Sequence, residues 1–309
     1  MRIILKRGTD RRVRAATLAA IAAVTVLGAC GSSSAGSSGG IHVVAAENFW
    51  GSITAQIAGP DASVTSIVTK PDADPHDYEP TPGDARAFAD ARLVIENGIG
   101  YDPWAQRLLD ADPGHGRVVL DVGKVLDVPD GGNPHQWYSR AAVGTFITQV
   151  TADLARVDPA HRAAYARRAH DLVTRGFAAL DRGIARIKQR FAGTPIGASE
   201  SIVSLWADTL RLKLLTPRSF VDAVSEGNEP TAADKATVDA QIANHAIKVF
   251  VYNEQNATPD VRRLVDAAQR ARIPVVTITE TLVPETANFQ DWQTREVGEL
   301  YQALVGAAR

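Results

Sequence analysis

Eight short runs of apolar and β-branched residues, separated by helical patterns, constrain the fold of this 309-residue chain more than any other feature. Alternation of strands and helices is typical of parallel sheets that are covered by helices. We therefore predict an α/β fold with two lobes, each a mostly parallel sheet flanked by helices. The runs are "IHVVAAE", "SVTSIVTK", "ARLVIENG" and "GRVVLDV" in the first half, and "TPIGASES", "KLLTP", "IKVFVYNEQ" and "RIPVVTITE" in the second.

A single long helical pattern separates the two groups of strands. It runs from about Pro159 to Phe191, with apolar residues at steps of three to five and Gly193 just past its end. At 1.5 Å per residue it would span roughly 50 Å, which suits a rigid linker between two lobes. The alternative is two shorter helices with a break at Gly176 or Gly183.

The N-terminus has the pattern of a secretory signal. Six basic residues precede the apolar run "AATLAAIAAVTVLGA", which is too short to span a membrane. The four residues that end at Cys30, "LGAC", resemble the lipobox of bacterial lipoproteins, and Cys30 is the only cysteine in the chain. We expect a lipid on Cys30 that holds the protein at the outer face of the bacterial plasma membrane. The alternative is a cleavage site followed by a cysteine without a role.

These patterns divide the chain into five predicted segments. Each lobe has the size of an ordinary small domain, and the stretch rich in Gly and Ser after Cys30 is predicted to be flexible. The segments are a lipoprotein signal peptide (1–29), a tether (30–40), an N-terminal lobe (41–158), the linker helix (159–192) and a C-terminal lobe (193–309).

Charge excludes one class of function. Without the signal peptide the chain keeps 27 basic and 34 acidic residues, a formal net charge of −7. This acidic balance argues against binding to nucleic acid. Lipidation of Cys30 would leave no thiol, so any metal site must be built from nitrogen and oxygen donors.

Two Pro-His pairs lie in loops of the first half. His76 follows Pro75 in "DADPHDYEPTPGD", and His135 follows Pro134 in "GGNPHQWYS". The prolines stiffen both loops, which suits a metal ligand whose position must be fixed in advance. Either histidine alone is more typical of an exposed or hydrogen-bonded loop residue, but the pair together favours a metal site.

Longer stretches around these histidines resemble a known family. "VVAAENFWGSITAQIAG", "DPHDYEPTPGDARAFADARLVIENGIGYDPW", "NPHQWY" and "VVTITETLVPE" are similar to the zinc- and manganese-specific substrate-binding lipoproteins of ABC transporters. The resemblance covers about residues 41–305. It implies two α/β lobes that are joined by one long helix, with the metal in the cleft between them.

The resemblance also implies a ligand set. His76 and His135 match the two family histidines, and Glu200 in "GASESIVSLWAD" matches the third ligand. Glu280 stands where many relatives have Asp, and Glu285 is the alternative at this position. Without the resemblance, a glutamate such as Glu200 at a helix start would be explained by the helix dipole alone.

Two nitrogen and two carboxylate donors suit zinc or manganese. Zn²⁺ is satisfied by four such ligands, whereas Mn²⁺ prefers oxygen and takes more donors. Many zinc carriers have a His-rich acidic loop, and its absence between His115 and His135 argues against zinc. Ligand chemistry alone favours zinc. The transported ligand is therefore expected to be Zn²⁺ or Mn²⁺, with a slight preference for zinc.

We expect a carrier and not an enzyme. Four protein ligands would leave no position for a catalytic water, and the chain has no HExxH, GxSxG or phosphate-loop motif. The expected partners are an ABC-transporter permease with its cytoplasmic ATPase, and the membrane through the lipid anchor, with the protein itself a monomer. The alternatives are a surface adhesin with a structural metal and a metal-dependent hydrolase.

Overall fold

A computed structural model describes residues 40–70 and 78–308. The predicted signal peptide, Cys30 and most of the tether lie outside the described residues, and so does His76. In the part of the chain that is described, no helix is both long and apolar enough to cross a membrane.

The first sheet holds four parallel strands in the spatial order β2-β1-β3-β4. The central strand is buried on both faces, which explains its unbroken apolar run from Val43 to Ala46. The strands are β1 (Ile41–Glu47), β2 (Ala62–Val68), β3 (Leu93–Glu96) and β4 (Val118–Asp121). The helices are α1 (Asn48–Ala58), α2 (Pro82–Asp90), α3 (Pro103–Ala111), α4 (Val122–Leu126) and α5 (Arg140–Val157).

The second sheet repeats this plan in the order β6-β5-β7-β8, again with all strands parallel. Its strands are β5 (Pro195–Ala198), β6 (Lys213–Leu214), β7 (Val249–Asn253) and β8 (Val275–Ile278). Its helices are α8 (Ile202–Leu210), α9 (Arg218–Ser225), α10 (Ala232–Ala243), α11 (Pro259–Arg270) and α12 (Phe289–Ala307). The prediction of two parallel α/β lobes is confirmed.

In both sheets the second strand in chain order lies on one side of the first strand, and the third strand lies on the other side, so the strand order reverses between the first and the third strand. Open parallel sheets bind ligands beside the carboxyl ends of strands at such a reversal. In the second sheet this point lies between β5 and β7, which are direct neighbours. The topology alone therefore predicts that a ligand site in this lobe would lie beside the residues that follow β5 and β7.

The connection between the sheets is helical but not uniform. A short 3₁₀ turn precedes α6 (Arg162–Asp171), a π-helical segment covers Leu172–Gly176, and α7 spans Ala178–Phe191. The predicted linker is thus irregular at Gly176, one of the two positions considered for a break, while α7 continues through Gly183. Phe177 between the two parts keeps a right-handed helical backbone, so the chain does not turn away there.

Each part of the linker is fastened to one lobe. Arg168 of α6 donates to the carbonyl oxygens of Ile57 and Ala58 at the end of α1, at 2.6 and 2.7 Å. In α7, a Cβ on Gly183 would lie 2.9 Å from Val297 of α12, so glycine permits the close contact of these two helices. The linker therefore packs along both lobes and does not hang between them.

Side chains also connect the N-terminal lobe to the linker and to the C-terminal lobe. Arg140 at the start of α5 pairs with Asp181 of α7, within the linker, at 2.8 Å. The Tyr138 hydroxyl donates to the Thr279 carbonyl oxygen at 2.8 Å, and its ring lies against Trp292. Most buried apolar residues of the two lobes belong to one continuous cluster, and a smaller second cluster lies within the N-terminal lobe. Separating the lobes would therefore expose core surface.

A buried acidic cluster lies at the carboxyl ends of β1 and β3. Glu47, Glu96 and Asp102 are each at most 2 % exposed. Burial, followed by the charges of Asp102 and Asp121, raises the pKa of Glu96 to about 8. Burial also raises the pKa of Asp102 to about 6 and that of Glu47 well above its ordinary value. The folded N-terminal lobe thus keeps protons that the unfolded chain would release.

Replacing Glu96 by Gln should weaken the pH dependence of stability in the metal-free protein. The carboxyl of Glu96 has a pKa of about 8 when folded and ionises near 4.5 when unfolded. The contribution of protonated Glu96 to the unfolding free energy is therefore complete below pH 4.5 and is lost as the pH rises through 8. The unfolding free energy falls by up to about 1.4 kcal/mol per pH unit in this range. Glu96→Gln has no proton to lose, so its unfolding free energy should fall less from about pH 5 to about pH 8.5.

Urea unfolding followed by circular dichroism at several pH values measures this slope. Glu47 and Asp102 remain in the variant, so the dependence should weaken without vanishing. The exposed Glu226 provides the control substitution Glu226→Gln. Equal slopes for the wild type and Glu96→Gln would contradict the expectation.

Candidate metal centre

Three of the four residues that the sequence analysis named as ligands meet in one buried group. His135, Glu200 and Glu280 each place one donor atom within 4.8 Å of the others, and each is at most 2 % exposed. His76 lies outside the described residues. Glu285, the alternative to Glu280, is exposed and does not belong to this group.

Sheet topology brings the two carboxylates together. Glu200 follows β5 by two residues, and Glu280 follows β8 by two residues. Only β7 lies between these strands in the sheet, so both side chains extend from the same edge. His135 comes from the N-terminal lobe, in the loop between α4 and α5. The group therefore joins residues of both lobes.

Asn133 fixes the orientation of the His135 ring. Its Nδ2 donates to the Ser201 carbonyl oxygen at 2.7 Å, so its Oδ1 faces the histidine. That oxygen accepts from the His135 backbone N–H at 3.0 Å and lies 3.0 Å from the ring Nδ1. Nδ1 therefore carries a hydrogen, and Nε2 is directed at the carboxylate of Glu200. This is the arrangement that orients metal-binding histidines in proteins.

The distance between His135 and Glu200 fits a shared cation. Nε2 of His135 lies 3.3 Å from Oε1 of Glu200. Two donors at roughly 2.0–2.1 Å from one tetrahedral zinc ion would be separated by about 3.3 Å. A neutral imidazole nitrogen and a carboxylate oxygen both have lone pairs, so their close approach is favourable only when a proton or a metal ion lies between them.

Every oxygen of the two carboxylates has a polar neighbour. Asn253 Nδ2 donates to Oε2 of Glu200 and to Oε1 of Glu280, both at 2.6 Å. The remaining Glu200 oxygen accepts from Ser225 Oγ at 3.1 Å, and the remaining Glu280 oxygen accepts from the Tyr101 hydroxyl at 2.7 Å. The carboxylates are thus held in fixed positions, although they are buried away from water.

Tyr101 reaches Glu280 from a tight loop in the N-terminal lobe. Gly98, Ile99 and Gly100 have φ angles of +69°, +59° and +77°, a left-handed path that is costly for the β-branched Ile99. Asp102 stabilises this path by accepting from the backbone N–H groups of residues 97 and 98 at 2.7 and 2.8 Å. The strained loop delivers a hydrogen-bond donor from one lobe to a carboxylate of the other.

Sequence reasoning missed the residues that hold the proposed ligands. Asn133 and Tyr101 lie inside stretches that carry the family resemblance but were given no role, and Ser225 and Asn253 lie outside those stretches. One signal was present: Asn253 ends β7, where polar residues after a buried parallel strand lie at the ligand edge of the sheet. The other three could not be found without knowing which loops meet.

A cavity of about 380 Å³ lies beside the group. Its lining includes Asn133, Ser201 and Ser225, which contact His135 or Glu200. The exposed Arg218 and Glu226 also line it, so the cavity opens to the surface. The donor residues themselves do not line it, so Asn133, Ser201 and Ser225 lie between the cavity and the buried group.

The sequence profile of the family described as zinc-uptake complex component A, periplasmic (ZnuA), matches residues 43–303. The chain belongs to this family. The resemblance seen in the sequence is therefore confirmed over nearly all of both lobes.

Relatives of this ZnuA-family protein are named for different metals. It is 33% identical over 142 residues to the manganese-binding lipoprotein MntA of Halalkalibacterium halodurans, a match that covers 42% of this chain and only 45% of that protein. It is 24% identical over 284 residues to the high-affinity zinc uptake system protein ZnuA of Bacillus subtilis, covering 84% and 86% of the two chains.

A solved structure shows the same fold. The Mn-bound S38A mutant of the periplasmic metal binding protein from Candidatus Liberibacter asiaticus superposes with a TM-score of 0.71 at 18% identity. The match covers 85% of this chain and 99% of that one.

The buried carboxylates of this ZnuA-family protein oppose each other electrostatically. Burial, followed by the charge of Glu280, raises the pKa of Glu200 to about 8. The hydrogen bonds from Asn253 and Ser225 act in the opposite direction but do not cancel the effect of burial. Joint ionisation of the pair is unfavourable unless a cation lies between them.

Glu200→Gln should stabilise the metal-free protein, whereas Glu280→Gln should not. A glutamine at position 200 can accept from Asn253 and donate toward His135. It is neutral without taking up a proton, whereas burial forces Glu200, with a pKa of about 8, to keep one at a cost in stability. Both glutamates accept a hydrogen bond at each oxygen, but only at position 200 would an amide nitrogen find a lone pair, that of His135 Nε2. At position 280 it would face the Tyr101 hydroxyl, which would lose its acceptor. We expect Glu200→Gln to gain about 0.5–2 kcal/mol, as replacements of strained functional residues do.

Thermal unfolding of both variants in the presence of a chelator measures the difference. A Glu200→Gln protein that is less stable than the wild type would show that the two carboxylates do not repel each other.

Proposed function

We propose that this protein captures a divalent transition metal ion, zinc or manganese, between its lobes and delivers it to the permease of an ABC transporter. The observation that carries the proposal is the convergence of His135 from one lobe with Glu200 and Glu280 from the other. Imidazole and carboxylate donors suit such ions, and membership in the ZnuA family supports the same function.

His76 is the proposed fourth ligand. The described residues that precede it support this role, because they lie beside the segment that follows Glu280. Asn48 donates to the Thr69 carbonyl oxygen at 3.1 Å and accepts from the Leu282 backbone N–H at 3.3 Å. The loop that carries His76 therefore starts beside the segment that follows Glu280.

Four protein donors suit a carrier. Two imidazoles and two carboxylates would fill a tetrahedral zinc sphere, so no position would remain for a catalytic water. Binding is then the whole task of the site, and release must come from separating the donors. Because the donors belong to two lobes, a permease that shifts one lobe or the Glu280 loop would lower the affinity for the ion.

The proposed lipid on Cys30 would keep the carrier beside its permease at the outer face of the membrane. The tether of residues 30–40 would let the lobes move over a short distance while they remain attached. Delivery would then need no diffusion away from the membrane.

His135→Ala and Glu280→Gln should each weaken binding of both metals strongly. The loss should exceed the roughly 10–100-fold that removal of an outer-shell partner costs, because a direct donor is lost. Glu285→Gln and His170→Ala, at two exposed positions of the same residue types, should leave the affinity unchanged. Competitive titration of chelator-treated protein with a metal indicator gives all affinities on one scale.

Two results would reject this assignment. One is wild-type protein that binds zinc and manganese no more tightly than exposed carboxylates on a protein surface would. The other is a Glu285→Gln variant that loses as much affinity as Glu280→Gln.

Binding should change the overall shape only slightly. The linker packs along both lobes, and the Arg140–Asp181 pair attaches it to the N-terminal lobe. The Tyr138 hydroxyl also contacts Thr279 across the two lobes. A wide hinge motion would break these contacts and divide a continuous core. We expect nearly superimposable small-angle scattering profiles for metal-free and metal-loaded protein. A large compaction on loading would contradict this rigid arrangement.

A further inference from the structure

The position of Asn253 between the two proposed carboxylate ligands suggests a role in metal choice. Asn253 is the last residue of β7, the strand that lies between β5 and β8, and it is fully buried. Glu200 follows β5 and Glu280 follows β8. Its side chain therefore extends from the middle of the three strand ends, with one carboxylate on each side.

The amide of Asn253 can point only one way. Its Oδ1 accepts from the Gln255 backbone N–H at 3.1 Å, so Nδ2 faces the carboxylates. Nδ2 has two hydrogens, and its two contacts use one each, at 2.6 Å to Glu200 and 2.6 Å to Glu280. Both distances are short, as expected for donation to charged oxygens. The backbone of Asn253 is fixed as well, since its N–H donates to Ser199 Oγ at 3.1 Å.

This bridge restricts how each carboxylate can bind an ion. A carboxylate that binds through both oxygens must turn the oxygen held by Asn253 toward the metal. That rotation would lose a charge-assisted hydrogen bond and leave a buried amide N–H without an acceptor, which is costly. Each glutamate therefore offers one oxygen at low energetic cost, and the second oxygen stays with Asn253.

The number of available donors decides which ion is satisfied. Zn²⁺ is saturated by four nitrogen and oxygen donors, whereas Mn²⁺ favours higher coordination that is rich in oxygen. We infer that Asn253 is a specificity-determining residue, which limits Glu200 and Glu280 to one oxygen each and so favours a four-coordinate ion such as Zn²⁺ over Mn²⁺. The inference rests on the proposed function, because it assumes that these glutamates bind the transported ion.

The test compares the ratio of zinc to manganese affinity in variants at this position. Asn253→Ala removes the amide, and Asn253→Asp removes the donor while nearly conserving side-chain size. The matched control is Asn256→Ala, because Asn256 donates to the Val224 carbonyl oxygen at 3.0 Å and contacts neither glutamate. Circular dichroism and thermal unfolding establish that each variant is folded.

We expect both Asn253 variants to lower the ratio of zinc to manganese affinity by about tenfold or more, the scale of outer-shell effects on metal sites. The fall should come from weaker zinc binding, together with unchanged or tighter manganese binding. Asn256→Ala should keep the wild-type ratio. X-ray absorption of the zinc-loaded wild type should show four light donors, and the Asn253 variants should show more than four.

Failure of the inference differs from failure of the proposed function. If wild-type protein binds neither ion tightly, the proposed function is wrong. If it binds both but the Asn253 variants weaken zinc and manganese by the same factor, Asn253 is only structural and the inference is overturned. Bidentate carboxylates in the zinc-loaded wild type would overturn it too, even if neither variant folds.

Discussion

Two carboxylates buried side by side are the constraint on which the rest of this structure depends. Glu200 and Glu280 lie at the ends of strands that are separated by a single strand, and neither is exposed by more than 2 %. Burial of two like charges is unfavourable, and the hydrogen bonds from Asn253 reduce this cost without removing it. A cation is the natural complement of such a pair. The fold therefore holds the two carboxylates at positions where a bound cation would offset their repulsion.

The candidate donors come from both lobes, so the geometry around the two carboxylates depends on how the lobes pack together. His135 reaches the carboxylates only because its loop is fixed by Asn133, which is in turn bound to Ser201 of the other lobe. Tyr101 makes a second bridge of this kind, from the strained loop of the N-terminal lobe to Glu280. The linker helix and the shared core fix the positions of these loops relative to each other. A small relative shift of the lobes would disturb several donors together, which suits capture followed by triggered release.

Local sequence patterns were sufficient for the fold but not for the full site. Strand and helix signals are local, so all eight strands and the parallel arrangement could be predicted from alternation alone. All four candidate ligands came from resemblance to a family motif, and the structure brings three of them, His135, Glu200 and Glu280, together. Their role as ligands, and that of His76, stays a prediction. Asn253 could not be assigned a partner, because its role depends on the order β5-β7-β8, which no local pattern encodes. The π-helical segment Leu172–Gly176 was likewise not predicted as such, since a glycine in a helix indicates only a position where the helix is weak.

Ligand identity alone is a poor guide to metal choice in a site of this kind. The relatives of this chain include proteins named for zinc and for manganese, while the same classes of donor, imidazole and carboxylate, suit both ions. A glutamate can supply one oxygen or two, so the donor count is not fixed until something restrains the carboxylate. In this protein the restraint that we infer is a neutral amide on the intervening strand, which donates to both carboxylates. Selectivity would then be set by hydrogen bonds around the ligands, where substitutions can tune the site without removing any donor.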